Sequence, residues 1–363
     1  MPLLANSNRN NAPKVLWEPR YAMVDAWRGL ASLGVVFAHL GVRVGFSLGN
    51  ACVLIFFVIS GYCIAAATFS CQRHSIGPMG YMWRRVRRIY PPYFFAVCLF
   101  VATRIVKSQV GMGNEIPRSL LGWIQNLTMT QWLSLLIHPT SSPASNPTLF
   151  VSVFWSLNYE EQFYIVMGLL MFITIYRNKE MLTAIILLMV PAFIWNLYHP
   201  SRFYGLFLEY WIPFALGTLV FYRLCKKDNV RTRTAIDFGL ALLLIFSLYR
   251  NVTMHLGDDS VYFEWVVTSS FALVLIYLRR LDKRFKANIL GRVLCSFGLI
   301  SYSLYLTHQS NVRVSELFAK SLNSWGMPQT LGMLAKASVM CSGAAVFWYF
   351  CERPFLNRPL SRS

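Results

Sequence analysis

Charged residues are scarce in this chain, and acidic residues are the scarcest. Only 13% of the 363 residues are charged, with 15 Asp and Glu against 34 Lys and Arg, whereas soluble domains carry about 25% charged residues. The eight cysteines are dispersed without C-x-x-C spacing, and no His, Asp or Glu set has metal-ligand spacing, so neither a disulfide scaffold nor a metal site is predicted. A Gly-rich phosphate loop and a serine in a nucleophile-elbow context are also missing. These absences argue against the common classes of soluble enzyme.

Long apolar stretches dominate what is present. Hydrophobic residues make up 56% of the chain and its mean hydropathy is +0.45. Apolar stretches of 17–25 residues recur, which is the length that a transmembrane helix needs. The predicted fold is therefore all-α, a polytopic transmembrane helical bundle of about ten spans. The predicted spans are 24–41, 50–69, 89–106, 151–174, 181–197, 203–222, 235–249, 261–278, 289–310 and 329–351.

The basic residues alternate with these spans. If the N-terminus is cytoplasmic, 24 of the 34 Lys and Arg fall on the cytoplasmic side, as the positive-inside rule requires. This distribution predicts cytoplasmic tails at 1–20 and 356–363 around a transmembrane domain at 21–355. It also explains the net charge of +19 through contact with the lipid bilayer, and no nucleic-acid partner is expected. No further soluble domain is expected, because no stretch outside the spans is long enough to bury a core.

The first predicted span carries three ionisable residues, Asp25, Arg28 and His39. A charged side chain at membrane depth costs about 3 kcal/mol or more, so such residues usually line a cavity. Arg28 and His39 are eleven residues apart, which places them on one side of a helix and roughly 16 Å apart along its axis. Two interpretations stay open. Asp25 and Arg28 form an anchoring ion pair while His39 is hydrogen-bonded within the bundle, or the three side chains form a polar track with a chemical role.

A basic cluster precedes the third predicted span, where Arg85 and Arg88 lie just before Tyr90. The planar guanidinium group binds phosphate through two parallel hydrogen bonds, so paired arginines suit an anionic, nucleotide-like ligand. Attraction to anionic lipid at the cytoplasmic surface is the alternative explanation.

The fourth predicted span begins with Trp155 and continues with Ser156, Glu160 and Tyr164. The last three are spaced by four residues and share a helix face. Glu160 is at a depth comparable to that of His39, so we expect this carboxylate to orient or charge-pair with the imidazole.

The ninth predicted span carries Tyr302, Tyr305 and Gln309 on one stripe, with His308 close by. Substrate binding is one interpretation. The other is an aromatic belt with hydrogen bonds between helices.

Taken in order, these segments resemble the integral-membrane acyltransferase 3 family, which includes bacterial O-acetyltransferases of lipopolysaccharide, exopolysaccharide and Nod factors. The matching segments are Asp25-Ala-Trp-Arg28 with the Arg-x10-His39 spacing, Phe56-Phe-Val-Ile-Ser-Gly61, Arg85-Val-Arg-Arg88, Trp155-Ser-Leu-Asn-Tyr-Glu160, Gly298 to His308, and Glu352-Arg-Pro354-Phe.

The resemblance implies transfer of an acyl group, usually acetyl, from cytoplasmic acyl-CoA to a carbohydrate hydroxyl at the bacterial inner membrane. Acyl-CoA (acetyl-CoA) would be a donor substrate, with no permanently bound cofactor. The acceptor would be a polysaccharide, a lipid-linked glycan or a glycolipid. By position, His39 would be the catalytic histidine, Arg28 its motif partner with Asp25 beside it, Arg85 and Arg88 donor-side arginines, and Glu160 the acid of the Trp-Ser-Leu motif.

Residues and resemblance combine in one hypothesis. The donor phosphates bind Arg85 and Arg88 next to Tyr90, and the pantetheine arm follows the track from Arg28 to His39. His39, polarised by Glu160, takes the proton of a sugar hydroxyl or accepts the acyl group itself. The predicted acceptor contacts are Trp155, Ser156, Tyr164, Tyr302, Tyr305 and His308. The alternative function is transport or flipping of a carbohydrate or lipid-linked precursor.

Overall fold

A computed structural model describes residues 21–109, 119–177, 180–200, 203–225, 230–255, 257, 260–323 and 328–356. Both predicted tails lie outside these residues, apart from Leu356. Ten long helices overlap the ten predicted spans, and three short helices lie between them. The long helices are α1 (Ala22–His39), α2 (Leu48–Arg73), α3 (Pro78–Gln109), α6 (Trp155–Arg177), α7 (Met181–Tyr198), α8 (Trp211–Cys225), α9 (Val230–Thr253), α10 (Val261–Leu278), α12 (Ile289–Asn323) and α13 (Gln329–Phe347).

Seven helical segments in the described part of the chain are long and apolar enough to cross a membrane. The chain therefore folds as a helical protein with multiple candidate spans. α8 is apolar but shorter, and α1 and α6 carry the charged residues near the start of each helix. The count of ten spans and the cytoplasmic location of both termini stay predictions.

The outside of the bundle is apolar, as α9 illustrates. Ile236 and Leu240 are buried against the bundle. Phe238, Leu242 and Ile245 are 68%, 56% and 63% exposed. Apolar faces of this extent are rare on soluble proteins and mark a surface that lipid or protein covers.

Two helices differ from their predicted limits. α3 begins at Pro78 and runs through Pro91 and Pro92, whereas the sequence placed the start of the span at residue 89. The arginines before Pro91 lower the local hydropathy, so the predicted span starts too late. Arginine nevertheless has a high helix propensity, so the helix itself begins earlier. α8 begins only at Trp211. Before it, Phe203 is held extended by two backbone hydrogen bonds with Thr140, and Phe207–Glu209 form a 3-10 turn.

The segment between the third and fourth predicted spans contains two short helices. It forms α4 (Leu120–Thr128) and α5 (Trp132–Ile137). The buried Asn126 side chain joins them to the following loop, since its amide donates to the Gly122 and Thr148 carbonyls at 2.8 and 2.7 Å. The last short helix is α11 (Asp282–Ala287), just before α12.

At two helix crossings, glycines let the backbones of the two helices come into contact. A Cβ at Gly61 of α2 would collide with the Phe214 carbonyl of α8, and one at Gly217 of α8 would collide with the Val58 carbonyl of α2. Likewise, a Cβ at Gly298 of α12 would collide with the Asp25 carbonyl of α1. Small residues serve this purpose in membrane bundles, where dispersion contacts between helices replace the hydrophobic effect.

The α2–α8 crossing gives a stability prediction. Replacing Gly61 by Ala (Gly61→Ala) should lower the free energy of unfolding by about 1–3 kcal/mol through overpacking against backbone. Gly239→Ala in α9 is the matched control, because nothing lies within 4 Å of the added methyl group. Thermal unfolding in detergent should show a lower midpoint for the first variant alone. Equal midpoints for the two variants would contradict the close crossing.

Candidate active site

One cavity of about 610 Å³ lies inside the bundle, and we call it the large cavity. Its lining comes from α1, α2, α3, α6, α8 and α12, together with Glu352 and Leu356 after α13.

Arg28 is the central cation of the large cavity. Its guanidinium group donates to the Cys63 Sγ at 2.9 Å and lies 3.5 Å from the Asp25 carboxylate. The Glu160 carboxylate also interacts with it electrostatically. Both members of the Asp25–Arg28 pair are less than one-fifth exposed. The ion pair of the sequence analysis is thus present, and it lies on the cavity wall.

Glu160 points into the same cavity from α6. It accepts hydrogen bonds from Ser60 of α2 at 3.0 Å and from Tyr164, one turn further along α6, at 2.6 Å. Two charge-assisted hydrogen bonds fix the carboxylate, since each is stronger than a bond between neutral groups. Glu160 therefore joins α2 to α6 at the level of Arg28.

Arg85 and Arg88 reach the large cavity from α3. The Arg85 guanidinium lies 5.5 Å from the ring centroids of both Tyr81 and Tyr164, and its Nε has no hydrogen-bond partner among the described residues. Glu352 lines the same cavity, is 3% exposed, accepts from the Ser303 hydroxyl at 2.5 Å and attracts Arg88 electrostatically. This carboxylate therefore offsets part of the positive charge that Arg85 and Arg88 bring to the cavity.

Glu352 ends a five-residue π-helix, Trp348–Glu352, that follows α13. Short π-helical segments frequently occur at functional sites because they turn one side chain out of helical register.

A second, smaller cavity of about 330 Å³ lies at the opposite end of α1, α3 and α12, and we call it the small cavity. His39, the last residue of α1, lines it. The remaining lining residues are Phe100, Thr103, Arg104, Lys107, Gln309, Ser310 and Val312.

A layer of hydrogen-bonded side chains stands between the two cavities. The Tyr305 hydroxyl donates to the Val153 carbonyl and is 2.8 Å from the Ser156 hydroxyl. One turn further, the fully buried His308 has its Nδ1 2.7 Å from the Tyr305 carbonyl oxygen. The His308 ring lies 4.9 Å from the His39 ring, measured between centroids. The layer thus connects the wall of the large cavity to the imidazole in the small one.

Most of the residues singled out in the sequence meet at the large cavity. Those that line it are Asp25, Arg28, Arg85, Arg88, Ser156, Glu160, Tyr164, Tyr302 and Tyr305. Tyr302 also donates to the Ile89 carbonyl at 3.1 Å, which fixes α12 against α3.

Three predicted contact residues line neither cavity. Tyr90 is rotated by about 200° from Arg88 around α3, and its hydroxyl donates to Glu161. Trp155 packs against the rings of Phe57, Tyr159 and Tyr210. His308 is buried behind His39. The assignment of these three residues as ligand contacts stays a prediction.

The expected pairing of Glu160 with His39 is wrong. Glu160 is bound to Ser60 and Tyr164 in the large cavity, whereas His39 lines the small cavity and has His308 as its ring neighbour. The sequence analysis assumed that Glu160 and His39 lie at the same depth because both are in the outer half of a predicted span. In the structure His39 is the last residue of α1, whereas Glu160 lies more than one turn beyond the start of α6.

Sequence reasoning missed Ser60, Cys63 and Glu352 as cavity residues. Ser60 and Cys63 are three residues apart on α2, so they share a helix face, and this spacing was the available signal. Glu352 was visible only as part of the Glu-Arg-Pro ending, and nothing local predicts its contact with Ser303.

The fold and the cavity define a helical membrane protein with a charged interior. The profile of the family described as acyltransferase domain (acyltransferase 3) matches residues 21–352, so the chain belongs to this acyltransferase family.

Two relatives illustrate its range. O-acetyltransferase OatA of Staphylococcus aureus is 25% identical over 325 residues, which cover 81% of this chain and 51% of OatA. Exopolysaccharide production protein ExoZ of Rhizobium meliloti is 26% identical over 352 residues, covering 89% of this chain and 95% of ExoZ. The chain thus spans about half the length of OatA. No solved structure matches it significantly.

Thiol labelling tests the large cavity. Cys63 lines it, whereas Cys52 is 6% exposed and lies against Gly34. In variants that keep only one of these cysteines, a water-soluble methanethiosulfonate should modify Cys63 much faster than Cys52. Inverted vesicles should react faster than right-side-out ones if the cavity opens to the cytoplasm. Equal, slow labelling of both thiols would contradict a water-accessible cavity.

Proposed function

We propose that this protein is a membrane O-acyltransferase of the bacterial plasma membrane, moving an acetyl group from acetyl-CoA to a hydroxyl of an exported or cell-surface carbohydrate. The observation that carries the proposal is the convergence of the family-motif residues Arg28, Arg85, Arg88 and Glu160, from three helices, on one cavity. The O-acetyltransferase relative OatA and the exopolysaccharide relative ExoZ support the choice of acetyl group and of carbohydrate.

The donor binds in the large cavity. Arg85 and Arg88 bind phosphate oxygens of the CoA moiety, because guanidinium groups match phosphate geometry. Glu352 limits the positive charge at this end and orients Arg88. The volume of about 610 Å³ lies in the range of small-molecule pockets, so the thioester arm has room to extend past Arg28 towards Ser156 and Tyr305.

The acceptor hydroxyl reacts at His39. The imidazole takes the hydroxyl proton as the oxygen attacks the thioester carbonyl, the carbon–sulfur bond breaks, and the proton returns to the CoA thiolate. In the covalent variant of this route, the imidazole itself attacks the thioester carbonyl and the carbon–sulfur bond breaks to release the CoA thiolate. The acceptor hydroxyl then attacks the acyl-imidazole, the carbon–nitrogen bond breaks, and the hydroxyl proton passes by way of the imidazole to the thiolate. His308 holds the His39 ring from behind in either route.

The first test is acyl transfer by the purified protein. With labelled acetyl-CoA and an acceptor glycan, label should appear on the glycan, whereas a transporter would leave it on CoA. His39→Ala should lower transfer by a factor of about 100 or more, the usual contribution of a general base. His74→Ala is the matched control, since His74 follows the last residue of α2, its ring bonds to the Ser70 carbonyl one turn back, and it lines neither cavity. Undiminished transfer by the first variant, at equal protein level, would exclude this role for His39.

The donor site has its own test on a single helix. Arg88→Gln removes a guanidinium group that lines the large cavity, and Arg87→Gln removes an exposed one from the other side of α3. Loss of a charge-assisted hydrogen bond should raise the KM for acetyl-CoA about tenfold or more in the Arg88 variant only. An equal change in both variants would assign these arginines to surface charge instead.

A further inference from the structure

The small cavity has a charge pattern that acyl transfer itself does not require. Arg104 and Lys107 of α3 contribute two full positive charges beside His39. The lining includes no acidic residue, and its other polar groups belong to Thr103, Gln309 and Ser310.

The two cations are held close together. They are three residues apart in α3, which makes them neighbours on one helix face, where like charges repel. The Arg104 guanidinium is stacked over the Phe100 ring at 4.8 Å. Neither Arg104 nor Lys107 belongs to an ion pair in the described part of the chain, whose pairs include Asp25–Arg28, Arg223–Asp237 and Arg279–Asp282. An anion in the cavity would remove the repulsion.

A lipid phosphate is the ordinary partner of such cations at the end of a span. The rotation of α3 argues against it here. Ile105 and Val106, which lie between the two cations in sequence, are 44% and 63% exposed and form the outer face of this turn. Arg104 and Lys107 are half-buried and line the cavity instead. Their charges are therefore directed to the compartment that holds His39.

The remaining lining suits a hydroxyl-rich ligand. The Gln309 amide donates to Ser152 at 3.2 Å and keeps its carbonyl oxygen and second N–H group for other partners. Thr103 uses its hydroxyl proton on the Phe100 carbonyl and keeps its lone pairs. The volume of about 330 Å³ is at the lower end of ligand pockets. The site thus combines anion-binding cations with hydroxyl-binding groups.

We propose that the small cavity selects an anionic carbohydrate acceptor, whose carboxylate or phosphate group binds Arg104 and Lys107 while a sugar hydroxyl is presented to His39. This inference rests on the proposed acyltransferase function and narrows its substrate class. The shared chemistry is an oxyanion on the acceptor. A uronate residue of the glycan and the diphosphate of a polyprenyl-linked glycan are its two sources.

Three acceptors distinguish these sources. They are a glucuronate-containing oligosaccharide, the corresponding neutral glucose oligosaccharide, and that neutral oligosaccharide attached to polyprenyl diphosphate. Transfer from labelled acetyl-CoA would be measured with the full-length protein in nanodiscs of uncharged phosphatidylcholine. We expect kcat/KM for one anionic acceptor to exceed that for the neutral one at least tenfold, and the excess to shrink at high salt.

The variants Arg104→Gln and Lys107→Gln should each lower the ratio of kcat/KM for the anionic acceptor to kcat/KM for the neutral one about tenfold. This is the effect of losing one charge-assisted hydrogen bond, and it should act mainly through KM. Lys107→Arg should restore most of it. Arg43→Gln, an exposed arginine in the loop after α1 that lines neither cavity, should leave the ratio unchanged. A wild-type ratio near one, or a ratio that both Gln variants leave intact, would overturn the anion site. A loss that appears only when anionic lipid is added would assign the cations to lipid.

Calorimetric binding of the glucuronate oligosaccharide and of the diphosphate-linked one, without acetyl-CoA, separates the two failures. Binding of either that the Gln variants weaken, with no transfer to any acceptor, would overturn the proposed function and retain the anion site. Transfer to anionic and neutral acceptors at equal rates would retain the proposed function and overturn the anion site. Neither binding nor transfer would overturn both.

Discussion

The compensation of Arg28 inside the bundle is the constraint on which the site depends. A guanidinium group cannot lose its proton under any ordinary condition, so its charge must be balanced where it lies. Asp25, on the same helix as Arg28, balances the charge, and Cys63 of α2 accepts a hydrogen bond from the guanidinium group. The Glu160 carboxylate of α6 adds further negative charge. Removing any one partner leaves a poorly satisfied cation at membrane depth, which costs several kcal/mol. Three helices are therefore fixed in rotation around one side chain.

That arrangement needs helices that approach closely, and the glycine contacts provide it. Gly298 lets the α12 backbone lie against the backbone of α1 at Asp25, and Gly61 lets α8 do the same against α2. Asp25 and Cys63 stand beside these crossings, so the two acceptors of Arg28 are carried by helix pairs whose backbones are in contact. Packing and charge compensation thus stabilise the same part of the bundle, and rigidity at the crossings keeps the large cavity in shape.

The apolar runs predicted the helices well, and buried charge predicted which of them line the site. Prediction failed where contacts are made between helices. The depth of Glu160 relative to His39 depends on where α6 begins relative to the end of α1. The contact of Glu160 with Ser60 depends on which face α2 turns towards α6. Glu352 reaches the cavity only because a π-helical turn redirects it. Local sequence cannot predict these contacts, because each depends on how distant helices cross. Ser60 and Glu160 are 100 residues apart, and Ser303 and Glu352 are 49 residues apart.

The separation of the two cavities has a chemical consequence in the proposed reaction. Water is itself a hydroxyl nucleophile, so a thioester that met an open passage would be hydrolysed in place of being transferred. The Ser156 and Tyr305 hydroxyls are hydrogen-bonded to each other on the wall of the large cavity, and exclusion of water is a recognised way of suppressing such side reactions. In the proposed reaction this layer would have to open for the thioester to reach His39. α1, α3 and α12 line both cavities, so a shift of these helices relative to α6, which carries Ser156, would separate its hydroxyl from that of Tyr305.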